Sequence, residues 1–121
     1  MDRKELLREY KQTPRPMGVF RVSNKRNDRW YIGASLDVTA MLNRQRFQLD
    51  AGSHPNHALQ SDWKRLGADA FTFEALDRLE PPADQPGYDP RRDLRALESM
   101  WHERLRALYG AGYHDEKTPG V

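Results

Sequence analysis

Residues 18–33 read GVFRVSNKRNDRWYIG, and this stretch carries most of the information about the fold. Its two ends, Gly18-Val19-Phe20 and Tyr31-Ile32-Gly33, consist of glycine, aromatic and β-branched residues. Between them lies Ser23-Asn24-Lys25-Arg26-Asn27-Asp28, which is rich in residues that form turns. Strand-forming residues on both sides of such a cluster are typical of a β-hairpin. We therefore predict antiparallel strands over residues 17–22 and 29–32.

Two helices are predicted after the hairpin. The first runs from Asp37, whose carboxylate can cap its start, to about Ala51, because the glycine that follows is a common helix terminator. The second helix begins at Pro55 or Asn56 and ends at Gly67.

A strand and a last helix complete the predicted elements. Apolar and polar residues alternate over residues 71–76, which predicts a third strand. Asp89-Pro90 is a favourable helix start, with a cap followed by proline at the first helical position, and this helix should end near Tyr109. The pattern predicts an α+β fold: a small three-stranded antiparallel sheet with flanking helices.

The composition limits the possible classes of protein. At 121 residues, with 37% hydrophobic and 31% charged residues, the chain should form one soluble domain with a modest core. It has no cysteine, which excludes disulfides, thiolate zinc sites and cysteine nucleophiles. No apolar run approaches the roughly 20 residues that span a bilayer, and no signal-peptide segment follows the N-terminus, so we expect a cytoplasmic location.

Positive charge is concentrated in one part of the chain. The formal net charge is only +2, although the isoelectric point is about 9.0. Most charged residues between positions 21 and 65 are basic, whereas acidic residues gather at 69–89 and 115–116. One face could therefore bind a polyanion. The alternative is an ordinary scatter of charges on a soluble domain.

The predicted last helix carries a carboxylate on its apolar side. The apolar residues at helical spacing are Leu94, Leu97, Trp101, Leu105 and Leu108. Glu98 falls within this stripe, one turn from Leu94 and from Trp101. A carboxylate on a packing face must be paired, hydrogen-bonded or bound to a cation, because burying it alone is costly. Two interpretations stay open: Glu98 pairs with an arginine at the rim, or it binds a hard cation such as Mg²⁺.

Arginines flank the inward side of the helix that starts at Asp37. That side is formed by Val38, Met41, Leu42, Gln45 and Leu49. Arg44 and Arg46 lie on its opposite edges, where a guanidinium group could reach a cleft and bind phosphate oxygens in a bidentate way. Tyr31 also has two interpretations. It is a packing residue with its hydroxyl at the surface, or a general base assisted by nearby cations or a metal-bound water.

Taken in order, these parts resemble the GIY-YIG nuclease family. The segments that carry the resemblance are Gly18-Val19-Phe20, Tyr31-Ile32-Gly33, Ser35-Leu36-Asp37, Gly52-Ser53-His54-Pro55-Asn56, Leu59-Gln60-Ser61-Asp62-Trp63, Leu66-Gly67, Phe71-Thr72-Phe73-Glu74 and Glu98-Ser99-Met100-Trp101. The chain is similar to small stand-alone bacterial members. The resemblance implies a GIY-YIG-like nuclease domain over residues 17–114, after an N-terminal helical extension (1–16) and before a tail (115–121).

The resemblance also implies a function. Many such domains hydrolyse phosphodiester bonds in DNA with one divalent metal. For this chain the resemblance implies Mg²⁺ or Mn²⁺ as the metal and DNA, single- or double-stranded, as the partner. The catalytic residues implied are Tyr31, Arg44, His54 and Glu98. Glu98 would be the metal ligand, Tyr31 would activate or orient the attacking water, and Arg44 would stabilise the pentavalent phosphate. The residues expected to contact nucleic acid are Arg26, Arg29, Arg46 and Lys64. No helix-turn-helix or zinc finger is visible, so we expect little sequence specificity, and no membrane partner is expected.

The chain departs from the family pattern at four positions. Phe20 keeps the ring of the usual tyrosine but lacks its hydroxyl. Met41 stands at the usual arginine position, so Arg44, one turn later on the same flank, is the best substitute. Gln45 and His114 replace a histidine and an asparagine.

Three hypotheses about function follow. The first is an active metal-dependent nuclease, which the joint presence of Tyr31, His54 and Glu98 favours. The second is a catalytically weakened or inactive GIY-YIG-fold protein that binds nucleic acid, which is favoured by the absence of both a hydroxyl at Phe20 and an arginine at Met41. The third is a protein-interaction or structural role, for which failure to bind any oligonucleotide at low salt would argue.

Overall fold

The computed structural model describes residues 15–115 as six regular elements and two short turns of 3₁₀ helix. The elements are β1 (Gly18–Asn24), β2 (Trp30–Ser35), α1 (Val38–Ala51), α2 (His57–Leu66), β3 (Phe71–Arg78) and α3 (Arg91–Tyr109). The 3₁₀ turns are Ala68–Ala70 and Tyr113–Asp115. The helical extension and the tail predicted at the two ends lie mostly outside the described residues. The α+β class and the three-stranded sheet are confirmed.

The sheet is antiparallel, with the strand order β2-β1-β3. β1 is central, and in its middle Val22 lies between Tyr31 of β2 and Phe73 of β3. The predicted hairpin is confirmed: Asn24 N–H donates to the Arg29 carbonyl at 2.8 Å and closes the turn. β2 therefore lies at an edge of the sheet, where one side of its backbone is left for other partners.

Local capping explains where the first two helices begin and end. The Asp37 carboxylate accepts a hydrogen bond from the Ala40 N–H, and Gly52 ends α1 with a left-handed backbone (φ 74°). The side chain of Asn56 accepts from the Leu59 N–H at the start of α2. The Asp37 cap and the Gly52 terminator were predicted from the sequence, because each requires only residues within one turn of the helix end. The start of the second helix was predicted at Pro55 or Asn56, but α2 begins at His57 and Asn56 is its cap.

The start of α3 differs from the prediction. Pro90 is the capping residue, with no side-chain cap, and the helix begins at Arg91 rather than at the proline. Asp89 accepts from the Arg91 N–H at 3.1 Å. The first helical hydrogen bond runs from the Leu94 N–H to the Pro90 carbonyl, which places the boundary one residue later.

Hydrophobic cores cover both faces of the sheet. On one face α1 and α2 pack through Leu49, Leu59 and Trp63 against Val22 of β1. On the other face Leu105 of α3 packs against Val19, Trp30 and Ile32. Successive strand residues point to opposite faces, so β1 contributes to both cores.

The apolar stripe of α3 is shorter than predicted. Leu94 and Leu105 are buried, but Leu108 is 66% exposed. The side chains of residues 106–110 are all exposed, so the last turn of α3 extends beyond the core. Within residues 15–115, no helix is both long and apolar enough to cross a membrane.

Candidate active site

Three aromatic rings meet at the outer edge of β2. The Tyr31 ring stacks on the His114 ring, with centroids 4.4 Å apart and planes at 16°. The His54 ring approaches it edge-on, at 5.1 Å and 81°. β2, the loop between α1 and α2 and the last 3₁₀ turn each contribute one ring. Tyr31 is therefore in contact with two imidazoles.

His54 is a buried ring whose two nitrogens both have protein partners. It is 3% exposed. Nδ1 accepts from the Asn56 N–H at 3.0 Å, so in the neutral ring the proton is on Nε2, which donates to Gln45 Oε1 at 2.5 Å. Burial lowers the pKa of His54, which favours this neutral form. His54 thus packs against the Tyr31 ring, while its Nε2 is bonded to Gln45.

His114 binds the free edge of β2. Its Nε2 accepts from the Ile32 N–H at 3.0 Å, so the proton of the neutral ring is on Nδ1. Partial desolvation by the packed rings, and then the neighbouring His102, lower the pKa of His114. The residue keeps an exposed surface. It therefore covers the strand edge while leaving one N–H donor for other partners.

Tyr113 anchors the segment that carries His114. Its hydroxyl donates to Asp62 Oδ2 at 2.7 Å and accepts from Asn24 Nδ2 at 3.1 Å. Burial opposes ionisation of Asp62, but hydrogen bonds from Tyr113 and Arg65 outweigh it and lower the pKa of the carboxyl. Arg29 lies over the Tyr113 ring at 4.2 Å and 3.9 Å from the Asp62 carboxylate. Arg29, predicted to contact nucleic acid, is thus also part of this internal network.

Glu98 of α3 is half-buried. Within residues 15–115 its carboxylate makes no hydrogen bond or ion pair, so the arginine partner considered in the sequence analysis is not found there. Burial raises the pKa of Glu98, although His102 opposes the shift. The pKa of Tyr31 is also raised, by burial and then by the Glu98 charge, which places the two groups within electrostatic range.

His102 is a site neighbour that the sequence analysis missed. It lies four residues after Glu98, on the same side of α3, and its ring is 5.4 Å from that of His114. It also packs edge-on against Trp30 at 4.9 Å. The spacing of four residues from Glu98 was the available signal. Among residues 15–115, no cluster of three or more histidine and acidic residues is arranged to hold a metal ion.

The predicted arginines lie on different sides of α1. The Arg46 guanidinium lies 4.7 Å from the ring of Phe73 on β3. Residues two positions apart in a helix project about 200° apart around its axis. Arg44 therefore projects from the opposite flank, away from β3. Arg44 is exposed, and the structure gives it no contact with Tyr31, His54 or Glu98.

Two other predicted contacts for nucleic acid lie on the surface. Arg26 is exposed in the hairpin turn, and Lys64 is exposed on α2. The Lys64 amine lies beside Gly52, where an added Cβ would be 3.6 Å from Nζ. This position places a positive charge at the C-terminal end of α1, which is favourable for the helix dipole.

Phe20 and Gly33 form the part of the sheet next to Tyr31. They are paired across β1 and β2, and the Phe20 ring lies directly over the glycine. A Cβ at position 33 would be 2.7 Å from ring atoms of Phe20, which is too close for any side chain. Phe20 is 3% exposed, and its ring centroid is 6.2 Å from that of Tyr31. The glycine thus lets the Phe20 ring pack beside Tyr31.

The structure resembles two solved structures. A mutant of the catalytic domain of intron endonuclease I-TevI matches with a TM-score of 0.65 and 19% identity, over 87% of this chain and 99% of that one. The catalytic domain of homing endonuclease I-TevI matches with a TM-score of 0.62 and 22% identity, over 79% of this chain and 96% of that one. No protein-family model and no curated protein matches the sequence. The order of elements, the sheet and this likeness together identify the fold of the chain as the GIY-YIG nuclease fold.

Proposed function

We propose that this protein is an endonuclease that hydrolyses phosphodiester bonds in DNA, with a divalent cation and little sequence specificity. The supporting observation is the half-buried Glu98 carboxylate, which has no hydrogen-bond or ion-pair partner within residues 15–115 and whose charge acts on the Tyr31 phenol. The likeness to an endonuclease catalytic domain adds to this argument.

Glu98 is suited to bind a hard cation. Its oxygens are free of partners in the described part of the chain, and half-burial makes the lone carboxylate costly unless a cation neutralises it. Mg²⁺ and Mn²⁺ accept one carboxylate ligand and complete their shell with water and phosphate oxygens. When bound, such a cation would lower the pKa of a water ligand and neutralise charge on the phosphate.

Tyr31 would act as a hydrogen-bond donor. Burial and the Glu98 charge raise its pKa, so the phenol keeps its proton at neutral pH. A protonated hydroxyl can orient an attacking water or donate to a phosphate oxygen. The imidazoles on either side restrict the rotation of the ring, so the direction of this donor is set before DNA binds.

Arg44 is the proposed contact for the charge that develops on the phosphate. Its side chain is exposed and unpaired within residues 15–115, so the guanidinium is available to bind an anion. Arg26, Arg46 and Lys64 would add phosphate contacts that raise affinity without reading sequence.

A second candidate is a GIY-YIG-fold protein that binds nucleic acid and cleaves it slowly or not at all. Phe20 supports this candidate, because its buried ring brings no hydroxyl to the site beside Tyr31. Met41 supports it also, because its sulfur accepts a hydrogen bond from Gln45 where the family's arginine would stand.

A cleavage assay with a matched variant distinguishes the two candidates. Labelled single- and double-stranded DNA would be incubated with the protein and Mg²⁺, Mn²⁺ or a chelator. We expect cleavage only with the cation, and a loss of orders of magnitude in Glu98→Gln, which keeps the size of the side chain but removes its charge. Binding without cleavage under every condition would favour the second candidate. Undiminished cleavage by Glu98→Gln would show that Glu98 has a structural role only.

A further inference from the structure

Asn56 is bonded to the His54 imidazole and to the backbone that leads into His114, the two residues whose rings contact Tyr31. Its backbone N–H donates to His54 Nδ1 at 3.0 Å, which sets the tautomer of that ring. Its side-chain Nδ2 donates to the Tyr113 carbonyl at 3.2 Å, and this carbonyl belongs to the peptide bond that leads into His114. One residue is therefore bonded to one of the rings that contact Tyr31 and to the backbone that carries the other.

The remaining polar atom of the same side chain has a structural role. Asn56 Oδ1 accepts from the Leu59 N–H at 3.0 Å and caps α2. Capping alone does not require an asparagine, because serine, threonine and aspartate cap helices about as well. Aspartate has no donor, and serine and threonine carry both functions on one hydroxyl oxygen, whereas asparagine places an acceptor for the helix and a donor for the Tyr113 carbonyl on two separate atoms.

We propose that Asn56 is a positioning residue, which holds His114 against Tyr31 and so fixes the direction of the Tyr31 hydroxyl. The Nδ2 donor to the Tyr113 carbonyl holds His114 in place, while the Oδ1 acceptor caps α2. The effect of Asn56 on the cleavage rate rests on the proposed nuclease function. Its effect on the position of the His114 ring does not depend on activity.

Two variants remove the Nδ2 donor and keep an oxygen for the cap: aspartate has no donor, and the serine hydroxyl is shorter than the amide and has no second polar atom at the position of Nδ2. Asn56→Ser and Asn56→Asp each retain an oxygen for the Leu59 N–H and leave the backbone N–H to His54 in place. Asp introduces a charge and Ser does not, so an effect common to both variants belongs to the lost donor. Asp37→Ser is the matched control, because it changes the cap of α1 in the same way, outside the Tyr31 site.

The first measurement is the NMR spectrum of the histidine rings. The chain has 4 histidines, and a His114→Gln variant assigns the His114 signal. Stacking on Tyr31 shifts that signal, and we expect it to move towards its unfolded value in both Asn56 variants but not in Asp37→Ser. An unchanged His114 signal in both variants would overturn the proposal.

The second measurement is single-turnover cleavage with DNA binding measured in parallel. We expect the rate in both Asn56 variants to fall about tenfold or more, because misplacing a reacting group by about 1 Å can cost up to about 10²-fold. Binding and the thermal midpoint should match those of Asp37→Ser. A shifted His114 signal with an unchanged rate would overturn the kinetic role. If the wild type cleaves no DNA, the proposed function fails, and the NMR result alone decides whether Asn56 positions His114.

Discussion

Tyr31 is surrounded by groups that keep it neutral and fixed. Burial and Glu98 raise its pKa, and two imidazoles confine its ring. Both imidazoles use one ring nitrogen to accept a backbone N–H, so their proton positions are also set. The polar groups beside the phenol are thus arranged before any substrate arrives, which is the condition for electrostatic preorganisation.

Tyr31→Phe tests whether the phenol acts in the reaction. The ring and both of its imidazole contacts remain, so the fold should remain stable. We expect cleavage to fall about 10²-fold or more, the usual scale for losing a positioned proton donor or acceptor. The rate would be measured in single turnover, and the thermal midpoint would serve as the control. Equal rates in the variant and the wild type would exclude the role proposed for Tyr31.

Arg44→Ala and Arg46→Ala should have different effects. Arg44 projects on the flank away from β3, so its loss should reduce turnover much more than binding, as expected for a contact made in the transition state. Arg46 lies over Phe73, so its loss should mainly weaken binding and make the salt dependence shallower. Rates and dissociation constants at several salt concentrations would separate the two. The opposite pattern would assign the phosphate contact to Arg46.

The site residues differ in how well the sequence could predict them. The half-buried position of Glu98 could be predicted because helical spacing places it on a packing face, and the sequence within two turns is enough to see that. The stacking of His114 on Tyr31 could not be predicted. The two segments are joined by the hydrogen bond between Ile32 and His114, which are 82 positions apart. Spacing rules report neighbours within one element and not the pairing of rings from different elements.

At the scale of elements, the hairpin depends on close contact between its two strands. The Phe20 ring occupies the space above Gly33, and the same ring borders Tyr31. The hairpin and both ends of α1 were predicted because their signals are local. The start of α3 and the exposure of Leu108 were predicted wrongly, because both depend on where the helix lies relative to the sheet.

Gly33→Ala should destabilise the protein. Its Cβ would lie 2.7 Å from the Phe20 ring, which is buried and cannot move away easily. We expect a loss of about 1–3 kcal/mol in the free energy of unfolding, the usual cost of overpacking. Gly87→Ala is the matched control, since its Cβ would have no atom within 4 Å. Urea unfolding of both variants checks this, and equal midpoints would show that Phe20 adapts without cost.

At the scale of the whole molecule, the elements are held together by two core clusters and by the Tyr113 network. The network links the hairpin, α2 and the last 3₁₀ turn through Asn24, Asp62 and Tyr113. Arg106 of α3 pairs with Asp115 of the same turn. The turn is thus bound to elements on both faces of the sheet. We therefore expect protonation of His114, whose ring this turn places beside β2, to be coupled to the stability of the fold.

Stability should fall in mildly acidic solution because His54 and His114 are held neutral. Their folded-state pKa values lie below the ordinary 6.5, so the unfolded chain takes up protons first as the pH falls. Their contribution to stability is full above about pH 6.5 and is lost as the pH falls through the folded-state pKa values. Glu98, whose pKa is raised, acts in the opposite direction, since its carboxyl favours the folded state when protonated.

Urea unfolding between pH 7.5 and pH 5 would measure this loss. His114→Gln isolates one contribution, since glutamine does not titrate. The variant should lose less stability than the wild type across this range. Parallel curves for the two proteins would show that His114 does not contribute to the pH dependence.

The hydrogen bond between Ile32 and His114 also has a consequence for the order in which the protein is made. β2 emerges during synthesis long before His114 does, since 82 positions separate the two residues. Until the last turn arrives, the outer edge of β2 has no cover from that turn and Tyr31 lacks one of its flanking rings. A nascent chain with a complete hairpin therefore still has an incomplete site. The contact between β2 and His114 thus forms late, because its two partners are far apart in the sequence, and the surroundings of Tyr31 are complete only once nearly all of the described residues have been made.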